Sequence, residues 1–252
     1  FSVLAAALTC LVVQAAFTLP AYGDVIVGWG ENDKGQAAPP AGTDFAAVAA
    51  GWKCSIALTS TGSIIGWGDD VYGETTPPAG NDFTTIAARN YHNLALTSNG
   101  SIATWGLSEK GLAPPPTDNG FTAIAVGSWH SLALTSNGSI IGWGDNSFGQ
   151  TTPPADHGRI AIAAGVHWSL ALKADGSIVG WGYNWSGETT TPAGTNFTAI
   201  AAGAYHGLAL TANGSIVGWG EDDDGQATPP AGNDFIAIAA GGYNSLALKA
   251  DG

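Results

Sequence analysis

The sequence predicts an all-β protein, a β-propeller assembled from six copies of a 38-residue unit with about three strands in each. Three observations predict it. A Trp-Gly pair recurs at Trp29-Gly30, Trp67-Gly68, Trp105-Gly106, Trp143-Gly144, Trp181-Gly182 and Trp219-Gly220, every step being 38 residues without insertion or deletion. Leu58, Leu96, Leu134, Leu172, Leu210 and Leu248 hold the same register, as do Gly35, Gly73, Gly111, Gly149, Gly187 and Gly225. A third glycine series, from Gly62 to Gly252, follows Asn or Asp in most copies, the pair that closes a two-residue hairpin.

The copy from Phe121 to Gln150 shows each element in order. Phe121–Val126 (FTAIAV) is a short, Ala-rich apolar run ending at Gly127 and reads as an inner strand. His130–Ser136 (HSLALTS) reads as a second strand. Asn137-Gly138 turns the chain, because both turn residues need positive φ, and Ser139–Trp143 (SIIGW) returns as the third strand. A polar loop to Gln150 follows, then Thr-Thr-Pro-Pro. Proline cannot donate to a ladder, so Pro153-Pro154 argues against a central fourth strand.

One such unit cannot bury both of its faces, whereas units stacked side by side can. A closed ring is preferred to a solenoid because Val25 to Gly252 makes six full periods, beginning with a third strand (VIVGW) and stopping just before one. Val25–Trp29 is therefore expected to complete the blade begun by Phe235–Gly252. The alternative is a seventh copy beyond Gly252.

Phe1–Phe17 is almost wholly apolar, and Ala21-Tyr22-Gly23 places small residues at −3 and −1 of a cleavage point before Asp24. Residues 1–23 thus read as a signal peptide whose start is cut short, and residues 24–252 as the propeller. A membrane anchor is the competing reading, but the run is slightly short and lacks flanking charges. Cys10 falls in this leader, so Cys54 is left alone in the mature chain and packing must hold the fold. The composition, 45% hydrophobic with 10 Trp, excludes a disordered chain despite 37 Gly. A net charge of −13 with no basic cluster argues against nucleic-acid binding and against attachment to an anionic membrane.

The stretch His130–Gln150, HSLALTSNGSIIGWGDNSFGQ, resembles the regulator of chromosome condensation repeat family. The resemblance runs through all six copies and implies the propeller fold. The repeat is shorter than that of the eukaryotic exchange factors and the chain is acidic, which sets it apart from nuclear and chromatin roles. Its short repeat and its Ala-Ile-Ala-Ala-Gly strand, as at Ala199–Gly203, are most similar to the secreted bacterial propellers of the β-lactamase inhibitory protein II type. That likeness implies seven blades and an enzyme-binding rim made largely of aromatic residues just before the His.

Those rim positions are here Lys53, Tyr91, Trp129, His167, Tyr205 and Tyr243, with Trp52 and Trp168 as neighbours. Their variety among unvarying surroundings suits a binding face, since Tyr and Trp give large contact area at small entropic cost; ordinary packing between blades is the other reading. A second variable set, Asp70–Tyr72, Asp145–Phe148, Tyr183–Trp185 and Glu221–Asp224, adds to a rim or simply supplies turn residues. Glu221–Asp224 invites a calcium reading, but the matching Leu107-Ser108-Glu109-Lys110 rules out a repeat-wide site. His92, His130 and His206 share one position, held elsewhere by Cys54, Trp168 and Asn244. They point to a hydrogen bond within each blade rather than to zinc. No P-loop, nucleophile elbow or HExxH is present, and the departures from the repeat, Arg89, Arg159, His157, Lys53 and Cys54, form no triad.

The expectation is a secreted or periplasmic, monomeric protein-binding propeller with no cofactor, metal or enzymatic activity, one form of which is an inhibitor of an extracellular enzyme such as a β-lactamase. A structural or surface-display module and a carbohydrate-binding propeller remain as alternatives.

Overall fold

The computed structural model describes residues 25–42, 44–107 and 114–251. The leader read at 1–23 lies outside them. Five three-stranded antiparallel sheets and one two-stranded sheet follow one another along the chain. They are β1 (Phe45–Ala50), β2 (Cys54–Thr59) and β3 (Ile64–Gly68); β4 (Phe83–Arg89), β5 (His92–Thr97) and β6 (Ile102–Gly106); β7 (Phe121–Val126), β8 (His130–Thr135) and β9 (Ile140–Gly144). After these come β10 (Arg159–Ala164), β11 (Trp168–Lys173) and β12 (Ile178–Gly182); β13 (Phe197–Ala202), β14 (His206–Thr211) and β15 (Ile216–Gly220); and finally β16 (Phe235–Ala240) with β17 (Ser245–Lys249).

Within a blade the register repeats. Ile124 faces Ala133 and Leu132 faces Gly142 in the third blade, and Ile200 faces Ala209 and Leu208 faces Gly218 in the fifth. Every first strand carries a register shift at its opening residues, as between Phe121 and Ala123. The hairpin glycines are needed on two counts. Gly138 has φ 80°, and a Cβ there would lie 2.7 Å from the Arg159 backbone nitrogen; the expectation of positive φ at Asn137 as well is corrected, because the Gly138 N–H donates to the Thr135 carbonyl and closes a turn in which the glycine alone is left-handed.

The first strands of successive blades touch one another, β1 to β4, β4 to β7, β7 to β10, β10 to β13 and β13 to β16, so they are innermost. Alanine is common in them because strands meeting near an axis leave room for little else. The cores lie between blades: Leu94, Leu96 and Ala87 pack on Phe121, Ile124 and Val126, and Leu208 and Leu210 pack on Phe235, Ile238 and Ala240. Each such Leu or Ile contributes roughly 1.5–3 kcal/mol. The outer strands are tied in through tryptophan. Trp67, Trp105, Trp181 and Trp219 donate their indole N–H to the carbonyls of Gln36, Glu74, Gln150 and Glu188, at 2.8–2.9 Å.

The array is open between its sixth and first blades. Leu246 and Leu248 of β17 are each 50% exposed, where their counterparts Leu208 and Leu210 are buried. Phe45, Val48 and Ala50 of β1 are likewise less buried than Phe83, Ile86 and Ala88. The expected interlock is therefore corrected: Val25–Trp29 joins no strand, Trp29 is 68% exposed, and the sixth sheet has two strands. The segment stays with the loop that follows it. Gly28 packs so closely on Ala37 that a Cβ would lie 2.3 Å from its carbonyl oxygen, the same contact that third-strand Gly66 makes with Thr75 and Gly142 with Thr151.

Candidate functional site

The position before each His is clamped to the loop leaving the third strand. The backbone N–H of Asp69, Leu107, Asp145, Tyr183 and Glu221 donates to the carbonyl of Lys53, Tyr91, Trp129, His167 and Tyr205 in turn, at 2.8–2.9 Å. The rim position and the polar loop, read as two sets in the sequence, are thus one surface. The loops after the first and third blades then reach over the next blade, so that a residue of each meets the rim position 19 places on. Tyr72 meets Tyr91 edge to face at 5.5 Å, and Phe148 meets His167 at 5.1 Å.

From Phe148 the rings continue without a break. Phe148 packs edge-on against Tyr183 at 5.0 Å, Tyr183 lies 6.5 Å from Tyr205, and Tyr205 lies 6.2 Å from Tyr243. This run carries an aromatic surface across blades three to six. Tyr243 and Phe148 are well exposed, and Trp185, in the loop after Tyr183, is 86% exposed. Phe148 and Tyr183 were absent from the rim set because they belong to the loop copy. The spacings of 19 and 22 residues that join the sets had no meaning until the loop's path was known.

The other rim residues divide. Lys53 takes the aromatic position in the first blade and pairs instead with Asp33 at 2.9 Å and Glu31 at 3.6 Å. Trp129 is half-buried, and the loop residue due to cover it lies outside the described residues. Trp52 is exposed, and its backbone N–H donates to the Asn90 carbonyl of the next blade at 2.8 Å. Trp168 is a correction: it is 0% exposed, with its indole N–H donating to the Ala204 carbonyl at 2.9 Å, so it is a link between blades and offers no surface. Gly165 admits it, since a Cβ there would lie 1.9 Å from the indole nitrogen.

The histidines of that position also differ from expectation. They bond between blades and not within one. His92, His130 and His206 direct Nε2 at Ser131, Ser169 and Ser245 of the following blade, at 3.3, 2.9 and 2.9 Å. Burial holds His92 and His130 down at about 3 and His206 at about 4, with Arg89 adding repulsion.

The face is acidic. Asp145 lies 3.6 Å from His167 Nδ1, but burial outweighs it and lowers the His167 pKa. Glu221 is raised by burial and then by Asp223, Glu188 and Asp224. Tyr205 is raised by burial and by the neighbouring tyrosines and carboxylates. Among the described residues, no three His, Cys, Asp or Glu converge as a metal site would need.

Residues 45–74, 121–150 and 197–226 match the model described as the regulator of chromosome condensation (RCC1) repeat; they fall in the first, third and fifth blades. Among curated proteins none matches the chain. Solved structures do. Prp20p from Saccharomyces cerevisiae, described with its binding to Gsp1p and histones, shares 20% identity over 88% of this chain and 78% of its own, with a TM-score of 0.73. The same yeast protein in complex with Kap60 aligns over 82% of this chain and 68% of its own at 18% identity, with a TM-score of 0.70. The CRINKLY WD40 ectodomain of the Arabidopsis thaliana receptor kinase ACR4 aligns at 20% identity over 90% of this chain and 83% of its own, with a TM-score of 0.72. At such identities the likeness establishes an RCC1-like propeller fold.

Proposed function

We propose that the protein binds another protein through the aromatic run Phe148–His167–Tyr183–Tyr205–Tyr243, and that it does so outside the cell. The observation that carries this reading is the continuity of the run across four blades. Rings held against one another, exposed at Phe148 and Tyr243 and half-buried between, lose little entropy on binding, and Tyr is enriched where interface energy concentrates. Nothing in the fold requires these rings. The repeat position tolerates Lys53 and His167 as readily as Tyr, so the aromatics are surplus to folding. Fold relatives whose structures are described with protein partners, Gsp1p, histones and Kap60, lend support from analogy. The leader-like residues 1–23 support export.

The finer form of the proposal is inhibition of an extracellular enzyme, a β-lactamase being the first to try. The mature chain and a Tyr183→Ala/Tyr205→Ala/Tyr243→Ala variant are used as baits on extracellular and envelope fractions, and each is assayed against a β-lactamase panel. A protein captured by the first and lost by the second, with unchanged circular dichroism, supports the binding face; lowered β-lactamase turnover supports the inhibitor. Equal capture by both baits overturns the aromatic face and favours a structural module. Binding to a glycan array that the triple variant loses assigns the same rings to sugar.

A further inference from the structure

The sixth blade ends in an open edge. β17 (Ser245–Lys249) pairs with β16 and, among the described residues, with no strand on its other side, whereas each of the other five middle strands has an outer strand beside it. The complete blades show what that edge holds. Lys173 of β11 donates its N–H to the Ser177 carbonyl at 2.8 Å, and Ser169 and Ala171 face Trp181 and Val179 along the same ladder. Hydrogen-bonding groups alternate along an antiparallel strand, so Ser245, Ala247 and Lys249 turn theirs toward the missing neighbour. Because β16 is the inner strand, the open edge lies at the outer rim, facing away from the other blades.

The side chains leave this edge unguarded. Leu246 and Leu248 are each 50% exposed, and Ala247 between them is exposed. A lysine often protects a sheet edge, but Lys249 is turned back on its own blade: its Nζ donates to Asp234 at 3.0 Å and lies 5.4 Å from the centre of the Phe235 ring. The chain's own Val25–Trp29 has the sequence of a third strand yet is held elsewhere, Gly28 packing on Ala37 of the loop that follows it. A sheet of two strands is marginal and gains from added ones.

We infer that β17 is a homodimer interface, pairing antiparallel with β17 of a second copy to make a four-stranded sheet across a two-fold axis. The strand is its own complement. With Ala247 on the axis, it exchanges both backbone bonds with Ala247 of the second copy, and Ser245 does the same with Lys249 of the second copy. Leu246 then stands beside Leu248 of the second copy, and Leu248 beside Leu246, so the half-exposed leucines cover one another as close cross-strand pairs. A contact of this kind closes at two copies and leaves no edge for a third. Antiparallel strands also reverse the copies top to bottom, so the two aromatic faces look in opposite directions and one dimer can hold two partners. A net charge of −13 on each copy opposes association, so the contact tightens as salt screens it.

Ala247→Pro is the test variant. Proline removes an N–H that points out of the blade and is tolerated on the open side of an edge strand, so the blade survives while the pairing does not. The full chain and the variant are compared by sedimentation velocity over a dilution series at low and high salt, with circular dichroism and melting temperature as the check on folding. A monomer–dimer equilibrium that moves toward dimer with concentration and salt, and is lost in Ala247→Pro, is expected. The register is read separately, which keeps the test decisive if the proline variant fails to fold. Leu246→Cys and Leu248→Cys chains, each also carrying Cys10→Ser and Cys54→Ser, are mixed and oxidised, and a disulfide joining the two kinds of chain is expected in preference to either self-pair. A monomer at every concentration, a dimer unchanged in a folded Ala247→Pro, assembly beyond two copies, or no preference for the mixed disulfide overturns the interface.

Discussion

His130 Nε2 lies 2.9 Å from Ser169 Oγ, one blade further round the ring. Ser169 Oγ also donates its only proton to the Gln150 carbonyl, at 2.9 Å. The imidazole must then be the donor, so His130 carries its proton on Nε2 and leaves Nδ1 bare. His206 and Ser245 repeat the arrangement, with Ser245 donating to the Gln226 carbonyl. One serine thereby joins a histidine of the preceding blade to the loop between the two.

Ser169→Ala strands the buried imidazole N–H of His130, while the Gln150 carbonyl keeps the indole N–H of Trp181. The variant is expected to lose about 1–3 kcal/mol, the cost of leaving a buried hydrogen-bonding group unmet. Urea unfolding at pH 7 checks this, and an unchanged midpoint would refute the latch.

Stability should fall with acid above the usual carboxylate range. His92 and His130 sit at about 3 and His206 at about 4 in the folded protein, against about 6.5 in the unfolded chain. The unfolded state therefore binds more protons below pH 6.5. Stability present above that pH is lost as pH falls towards 3–4, at up to about 1.4 kcal/mol per pH unit for each histidine. His206→Asn, the residue found at Asn244, should make the profile shallower between pH 6.5 and 4. Melting temperatures across that window decide it.

Arg89 stands where five other copies have glycine, and its Nη1 donates to the Ala164 carbonyl at 2.8 Å, reaching from the second blade to the fourth. Arg89→Gly should lower stability at pH 7 by about 2 kcal/mol through the lost charged hydrogen bond. It should also soften the acid loss, because the cation that helps hold His92, His130 and His206 deprotonated is gone. Denaturant titrations at pH 7 and pH 5 separate the two effects.

Cys54 replaces a latch histidine and is buried, and burial pushes its thiol up to about 12. The thiolate is the reactive form. Native protein is expected to resist iodoacetamide at pH 8 for as long as it stays folded, with labelling tracking unfolding in urea. Rapid labelling without denaturant would contradict the packing around Gly51, where a Cβ would come within 2.7 Å of the sulfur.

The strands were legible because their determinants are local. FTAIAV, HSLALT and the Asn-Gly turn became β7, β8 and the hairpin from β8 to β9 within a residue or so, since period-two patterning and positive-φ glycines act over a few residues. The rim set was legible in part. Tyr91, His167, Tyr205 and Tyr243 join ring contacts on one face, but their partners Tyr72, Phe148 and Tyr183 depend on where a loop crosses the next blade. Trp168 was misread for the opposite reason. A large aromatic beside a rim position looks like surface until the glycine at 165 is seen to open a slot for it.

Period, turn chemistry and apolar alternation are properties of neighbouring residues, so the chain's own order was enough to establish the repeat, its three strands and the stacking of blades. What passes between blades was decided only in three dimensions. The direction of each histidine, the reach of Arg89 to Ala164 and the open seam beside Leu246 all relate residues through space. A repeat makes every copy look alike in sequence; packing gives each a different neighbour, and the copies that differ there carry what is particular to this protein.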